Sequence, residues 1–451
     1  MKKKTSALSV VALSAVLLSA CSTGQGTTNN SGNTAGNTAG NNANAGGVTT
    51  IEFWAAPNPT QQAYWTEMAK AYQAVNDKVK INVSAMKESP TSEAGIQAAI
   101  AAKSAPTMSE NINRGFAAQL ADSQALVPLD TIAGFSDVIA SRDMSKTIEP
   151  WKFADGHQYV LPIYSNAMLF GWRLDTLKEL GYDAPPKTYG EVLEVTKKLK
   201  AKYGDKKYLW AKPDLADPTA WKRWFDFYML YDAASNGNKF IEGSSFTGDQ
   251  KAGEQVLTFV DNLRKEKGLL ARQVTDPFEN GVGIFTDVGP WTFTTWAQKY
   301  PNLKYNDTYT LSMPPVPDGV DPAQSKTFAD TKGLVVYASA TKAQQEAAVG
   351  FMKWVYSDAA NDAKWFKDTN LPPARDDLST NEAFKPILDA SPQLKPYAEN
   401  VPNAIPPMDN AKYNDLQTII GSEAFNKVVK GEIAPAEGWA AMKAALEKAL
   451  K

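Results

Sequence analysis

Residues 156–188 read GHQYVLPIYSNAMLFGWRLDTLKELGYDAPPKT, and the fold turns on how this stretch is parsed. Val160 and Leu161 predict a short strand stopped at Pro162, because proline cannot donate to a sheet ladder. A second apolar run, residues 167–172, follows. Residues 173–180 then carry Leu174, Leu177 and Leu180 at helical spacing. Gly181 predicts the end of that helix, since glycine takes the left-handed cap without steric cost. Pro185 and Pro186 keep the chain extended. Thr188, with Glu191 three residues on, predicts a capping box for the next helix. Strand, crossover, strand and helix in this order point to an α/β protein.

The same grammar extends outward. Residues 50–54 alternate as a strand. Residues 61–76 form a helix with Met68, Ala71, Tyr72 and Val75 inward, and residues 79–83 a second strand. Together they predict a βαβ unit, because parallel pairing needs a crossover. A helix over 94–103, a strand over 106–111 and a helix over 117–125 follow. Beyond the central stretch, helices are expected over 189–203, 251–267, 342–356 and 436–450. Strands are expected over 208–211, 283–287, 309–313 and 333–337. Residues 216–234 are aromatic-rich, and Trp221, Trp224, Phe225 and Tyr228 recur at helical spacing, which predicts a core face.

A chain of 451 residues is too long for one typical core, so two lobes are expected. The net charge of −2 gives no basic footprint, and nucleic acid is not an expected partner. One Cys and one His exclude an intrachain disulfide and a Cys/His metal cluster. No metal or other cofactor is expected. The single histidine, His157, falls in a turn and reads as a surface residue. Twelve tryptophans exceed what a core requires, which predicts that some line a cleft.

Residues 1–20 read as a secretory signal, with Lys2, Lys3 and Lys4 before an apolar run at 7–18 that is too short to span a membrane. Leu18-Ser-Ala-Cys21 matches the lipobox of bacterial lipoproteins, which predicts a lipid on Cys21 as an anchor rather than a span. Residues 22–47 contain only Ser, Thr, Gly, Gln, Asn and Ala, with Asn-Thr-Ala-Gly at 33–36 repeated at 37–40, and predict a flexible tether. Folded sequence begins at Val48.

Gly156, Tyr159-Val-Leu-Pro162, the Leu-Gly-Tyr helix end, Pro185-Pro-Lys-Thr188 and Glu191 resemble the central passage of the extracellular solute-binding proteins of ABC importers. The resemblance is to the subfamily that includes maltose-binding protein. Leu-Val-Pro-Leu-Asp at 126–130, Gly289-Pro-Trp291, Leu-Pro-Pro-Ala-Arg at 371–375 and the Pro-rich loop 401–408 recur in the family's order. The resemblance implies a two-lobe, type II periplasmic-binding-protein-like fold, each lobe a mostly parallel sheet flanked by helices, with a cleft between. It places one lobe at 48–163 plus 316–361 and the other at 164–313 plus 365–451. It implies a lipid-anchored, monomeric protein on the extracellular face. Such a protein is not an enzyme: it delivers a mono- or oligosaccharide to a permease after hinge closure. The alternatives are a secreted glycoside-acting enzyme, or the same fold holding a non-sugar solute.

Ligands of parallel-sheet folds sit beyond the carboxyl ends of strands. Trp54 and Asn58 follow the first strand, Glu110, Asn111, Asn113 and Arg114 the third, and Trp291 the strand ending at Asp287. An indole covers the apolar face of a sugar ring, while carboxylate, amide and guanidinium groups bond its hydroxyls. The resemblance adds further assignments. Trp291 matches a tryptophan that stacks on sugar, and Asn166 stands where the family has a cleft carboxylate. Asn113 or Arg114 falls at a polar cleft position, and Asn111 falls near a stacking tryptophan. Asp217-Pro218 resembles a Glu-Pro that supplies a carboxylate. Tyr413 matches an aromatic that enters the cleft from a helix start.

Overall fold

The computed structural model describes residues 47–87 and 91–451. The expected signal, the lipidation site Cys21 and the tether up to residue 46 lie outside them. The strands used below are β1 (Thr49–Ala55), β2 (Val79–Ala85), β3 (Met108–Ile112), β4 (Leu161–Ala167), β5 (Leu169–Trp172), β6 (Tyr208–Ala211), β7 (Leu269–Leu270), β8 (Gly283–Val288), β9 (Thr310–Ser312), β10 (Thr327–Val336) and β11 (Ala404–Ile405). The helices are α1 (Pro59–Val75), α2 (Arg114–Asp122), α3 (Tyr189–Tyr203), α4 (Phe227–Ala234), α5 (Lys342–Tyr356), α6 (Ala359–Thr369), α7 (Tyr413–Ile419) and α8 (Pro435–Ala449).

The predicted βαβ unit forms: β1 and β2 pair in parallel around α1. The first sheet runs β11-β10-β3-β1-β2, with β4 also on β10. The second runs β9-β5-β8-β6-β7. One buried cluster, including Phe53, Trp65, Leu161 and Phe351, packs on the first sheet. Another, including Phe170, Trp210, Phe285 and Trp439, packs on the second. Ala167, Ala329 and Ala404 make a small cluster of their own where β4, β10 and β11 meet. The capping box of Thr188 and Glu191 opens α3 as expected.

Four expectations need correction. Pro162 does not stop a strand: β4 runs through it to Ala167. The reason is that the β4–β10 ladder bulges between Lys332 and Gly333, the residue opposite Pro162, so the missing N–H of Pro162 costs little. The strand expected at 333–337 begins earlier, at Thr327, and Asp330 and Lys332 belong to it. The helical spacing read across 216–234 is interrupted, with one short helix at Ala220–Phe225 and α4 after it. Asp226 breaks it: its backbone leaves helical space at φ −141°, its carboxylate caps the Phe227 N–H, and it pairs with buried Arg223 at 2.7 Å. Val75, expected inward, is 69% exposed, while Tyr72 in the same turn takes the inward place against Phe351 and Trp354.

Gly333 shows how tightly β4 and β10 meet. A Cβ there would stand 2.3 Å from the Leu161 carbonyl oxygen, a backbone atom that cannot swing aside. Gly333→Ala is therefore expected to cost about 1–3 kcal/mol through forced displacement of β4. An unchanged urea midpoint would contradict this packing.

Candidate functional site

Side chains alternate across a strand. On β10, Ala329 and Thr331 are buried on one face, and Phe328, Asp330 and Lys332 share the other. The register sets Asp330 opposite Asn166 and Lys332 opposite Tyr164 on β4, while the Met168 N–H donates to the Phe328 carbonyl at 2.9 Å. One strand face thus carries a polar row that runs into an aromatic ring. Asn166 is fully buried beside Asp330, and neither end of its amide reaches full hydrogen-bond geometry with a partner. A buried amide left this way costs free energy unless something completes it. Burial pushes the Asp330 carboxyl up, with Lys332 and the Asn166 amide pulling it back.

The row continues onto β3 through a second bulge. Gly333 pairs with Ile112 and Val335 with Ser109, so Glu110 and Asn111 together face the single residue between. Bulges of this kind re-aim side chains beside functional sites. Asn111 takes φ +65°, a left-handed conformation that asparagine tolerates better than most residues. Glu110 is buried. Its Oε2 accepts from the Ala56 N–H at 3.0 Å and its Oε1 from Gln61 Nε2 at 2.8 Å. Burial pushes its carboxyl from 4.5 up to about 7, against the pull of the Ala56 N–H. Tyr164 is raised mainly by burial, with Asp330 and Glu110 adding to it. Half-buried Trp54 pairs in register with Ser109, the residue before this bulge.

Glu110 gives a pH test. A carboxyl with a raised folded value binds its proton more tightly folded than unfolded. Folding therefore takes up a proton between about pH 4.5 and 7, and stability falls as pH rises through that window. Glu110→Gln is expected to remove this contribution, on the order of 2–3 kcal/mol. Urea unfolding of both proteins at pH 5 and pH 7.5 measures it, and parallel pH profiles would refute the assignment.

An aromatic shelf adjoins the row. Tyr413 stacks on Trp224 at 6.1 Å, Trp224 on Phe328 at 5.5 Å, Phe328 meets Phe225 edge-on at 6.2 Å, and Phe225 lies 6.1 Å from Trp291. Trp291 is 47% exposed. It follows β8 directly, and its ring folds back on the Gly289 turn, where any Cβ would meet it at 2.2 Å. At the other end, Gly115 lets Tyr413 approach α2, since a Cβ there would sit 2.4 Å from the ring. Asn113 caps α2 by accepting from the Phe116 N–H and reaches the Tyr413 hydroxyl at 3.5 Å.

The structure thus places Tyr413 and Trp291 on one shelf, with Asn113 at its Tyr413 end. Asn166 lies in the adjoining polar row, and Glu110, Asn111 and Trp54 beside the β3 bulge. Three expected residues have other occupations. Asn58 is exposed and caps α1 through the Thr60 and Gln61 N–H groups. Asp217 is tied to Lys222 at 2.5 Å and to Thr219, and these bonds hold its carboxyl well below the usual range. Arg114 is buried, donates to the Pro407 and Lys152 carbonyls, and lines a separate cavity. Sequence reasoning missed Asp330, Lys332, Phe328 and Tyr164, and took Trp224 and Phe225 as core. The signal was there: Asp330 and Lys332 interrupt an apolar strand two residues apart. Among the described residues, no group of three or more His, Cys, Asp or Glu side chains could hold a metal. Among them, too, no helix is long and apolar enough to cross a membrane.

A family model described as bacterial extracellular solute-binding protein matches residues 67–396. Among solved structures, an uncharacterized protein from Listeria monocytogenes is 59% identical with a TM-score of 0.88, over 89% of this chain and 100% of that one. The cyclic α-maltosyl-1,6-maltose binding protein of Arthrobacter globiformis is 19% identical with a TM-score of 0.75, over 90% and 100%. The sugar-binding protein MalE of Xanthomonas citri is 18% identical with a TM-score of 0.67, over 89% and 97%. The last two likenesses speak for the fold, which is the expected mixed α/β, periplasmic-binding-protein-like architecture.

Proposed function

Because this chain belongs to the bacterial extracellular solute-binding protein family, we propose that it captures a carbohydrate, a mono- or oligosaccharide, and passes it unaltered to the permease of an ABC importer. The observation that carries this reading is the continuity of the shelf and the row. Exposed Trp291 leads through Phe225 to Phe328, whose own strand face bears Asp330 opposite Asn166. A sugar needs both parts at once: rings against its apolar face, and planar polar groups at its hydroxyl rim. Asn166, buried beside Asp330 with neither amide end in full hydrogen-bond geometry, is open to completion by such a ligand.

The rest of the proposal follows from the tethered design. Residues 1–20 direct export, a lipid on Cys21 anchors a monomer to the outer face of the cell membrane, and residues 21–47 leash it. One lobe comprises 48–163 plus 316–361 and the other 164–313 plus 365–451. Ligand touching both favours a closed state by its differential affinity, and closure presents the surface that the permease reads. The test is calorimetric titration of the mature chain with a panel of mono- and oligosaccharides, with chromatography of each sugar afterwards. Saturable binding with sugar recovered intact is expected. Turnover would favour the glycoside-acting alternative, and silence across the panel would remove carbohydrate.

A further inference from the structure

A cavity of about 370 Å³ adjoins the shelf and shares Trp224 and Phe328 with it, while Asn166, Asp330 and Trp291 do not line it. Arg114 and Lys152 contribute one part of its wall, and α4 another. Four aromatic side chains line it, Trp224, Tyr228, Phe240 and Phe328. Their mutual packing is close, with Tyr228 meeting Phe240 edge-on at 5.5 Å and Phe328 at 6.1 Å.

The charges lining the cavity are compensated with one exception. Arg114 pairs with Asp409 at 3.7 Å and sits 5.0 Å over the Phe153 ring. Lys152 pairs with Glu149 at 3.0 Å, and Lys239 with Glu242. Asp232 is different. It is 3% exposed, forms no ion pair among the described residues, and its Oδ2 has no hydrogen-bond partner. The Tyr228 hydroxyl, one turn earlier on α4, is also buried without a partner. Burial pushes the Asp232 carboxyl well above the usual range, the behaviour of an acid with no cation beside it.

We propose that this cavity binds one organic ammonium ion, with Asp232 as its counter-ion and the rings of Trp224, Tyr228, Phe240 and Phe328 as its walls. An alkylated ammonium is attracted to aromatic rings and is weakly hydrated, so it loses little on leaving water. A carboxylate in the same dry surroundings adds an attraction that water would screen. An anion is disfavoured by Asp232. A bare metal ion finds one buried carboxylate, Asp232, since Glu149 is held by Lys152, where it needs several oxygen ligands. The volume suits a small molecule rather than a chain end. This inference does not rest on the carbohydrate reading.

The test uses the full chain, titrated by calorimetry with choline and with its neutral carbon isostere 3,3-dimethylbutan-1-ol at matched ionic strength. Choline is expected to saturate one site and to bind at least about tenfold more tightly than the isostere. Asp232→Asn is expected to lower choline affinity by about tenfold or more while leaving the isostere unchanged. Trp291→Ala is expected to leave choline binding unchanged, which separates this site from the Trp291 end of the shelf. Equal binding of the two probes, no saturable heat, or loss in Trp291→Ala would each overturn the proposal. If Asp232→Asn does not fold, the choline-to-isostere ratio on the native chain still decides.

Discussion

Replacing Asp362 by alanine is expected to cost about 3–5 kcal/mol of stability, because it strands a buried guanidinium. Asp362 is 1% exposed and receives Arg142 through two bonds, Nε to Oδ2 at 3.1 Å and Nη2 to Oδ1 at 2.9 Å. Arg375 adds a third at 3.2 Å. Arg142 is itself fully buried, lies 3.8 Å over the Tyr356 ring, and donates to the Pro162 and Ile163 carbonyls, both at 2.5 Å. It therefore fastens the beginning of β4 to α5 and α6. Removing its carboxylate leaves the charge without compensation in a site that water does not reach, and that desolvation is what the alanine variant exposes. The contrast is Lys342 and Glu346, a pair at 3.8 Å with Lys342 89% exposed, where Lys342→Ala should change stability by less than about 0.5 kcal/mol. Urea unfolding measures both. A loss below about 1 kcal/mol for Asp362→Ala would mean that the cluster does not hold β4 in place.

Trp291→Ala should do the opposite: little to stability and much to ligand binding. At 47% exposure the indole contributes little to the core, so unfolding should shift by no more than about 0.5 kcal/mol. Covering an exposed indole with a sugar ring removes on the order of 100 Å² of apolar surface from water and adds a stacking contribution. The expected loss is roughly 2–3 kcal/mol, or about 30- to 150-fold in affinity. Phe225 sets the orientation of the indole from one side and the Gly289 turn from the other, so a Phe substitution should retain part of the affinity. Calorimetric titration of wild type and both variants with the tightest sugar of the panel reads this directly. Unchanged affinity in Trp291→Ala would take the ligand off the shelf.

Local signals could be read from the chain alone, and distant ones could not. The alternation of 50–54, the amphipathic run of α1 and the Thr188–Glu191 box each lie within a few turns of chain, and each formed as expected. Pro162 misled because the rule against proline in a ladder assumes unbroken pairing, and the β4–β10 ladder bulges at Gly333 opposite it. Asp330 and Lys332 were hidden because their charges broke the apolar run from which β10 was read. The stripe of 216–234 does supply a core face, Tyr228 included, but Asp226, buried against Arg223, turns the chain before α4 and leaves Trp224 and Phe225 half-buried against that core. The Arg142–Asp362 bond joins residues 220 apart, and no sequence pattern announces it. For the site, the Gly-Pro-Trp turn pointed to Trp291. The partners of Asn166 could only emerge from the register of β4 on β10.

Hydrogen–deuterium exchange of the protein, with and without a saturating sugar, tests most directly where the ligand sits. New protection is predicted in the segments around Asn166, Phe328 to Lys332, and Trp291. Protection confined to the segment around Asp232 and Phe240, with none at those three, would contradict this placement.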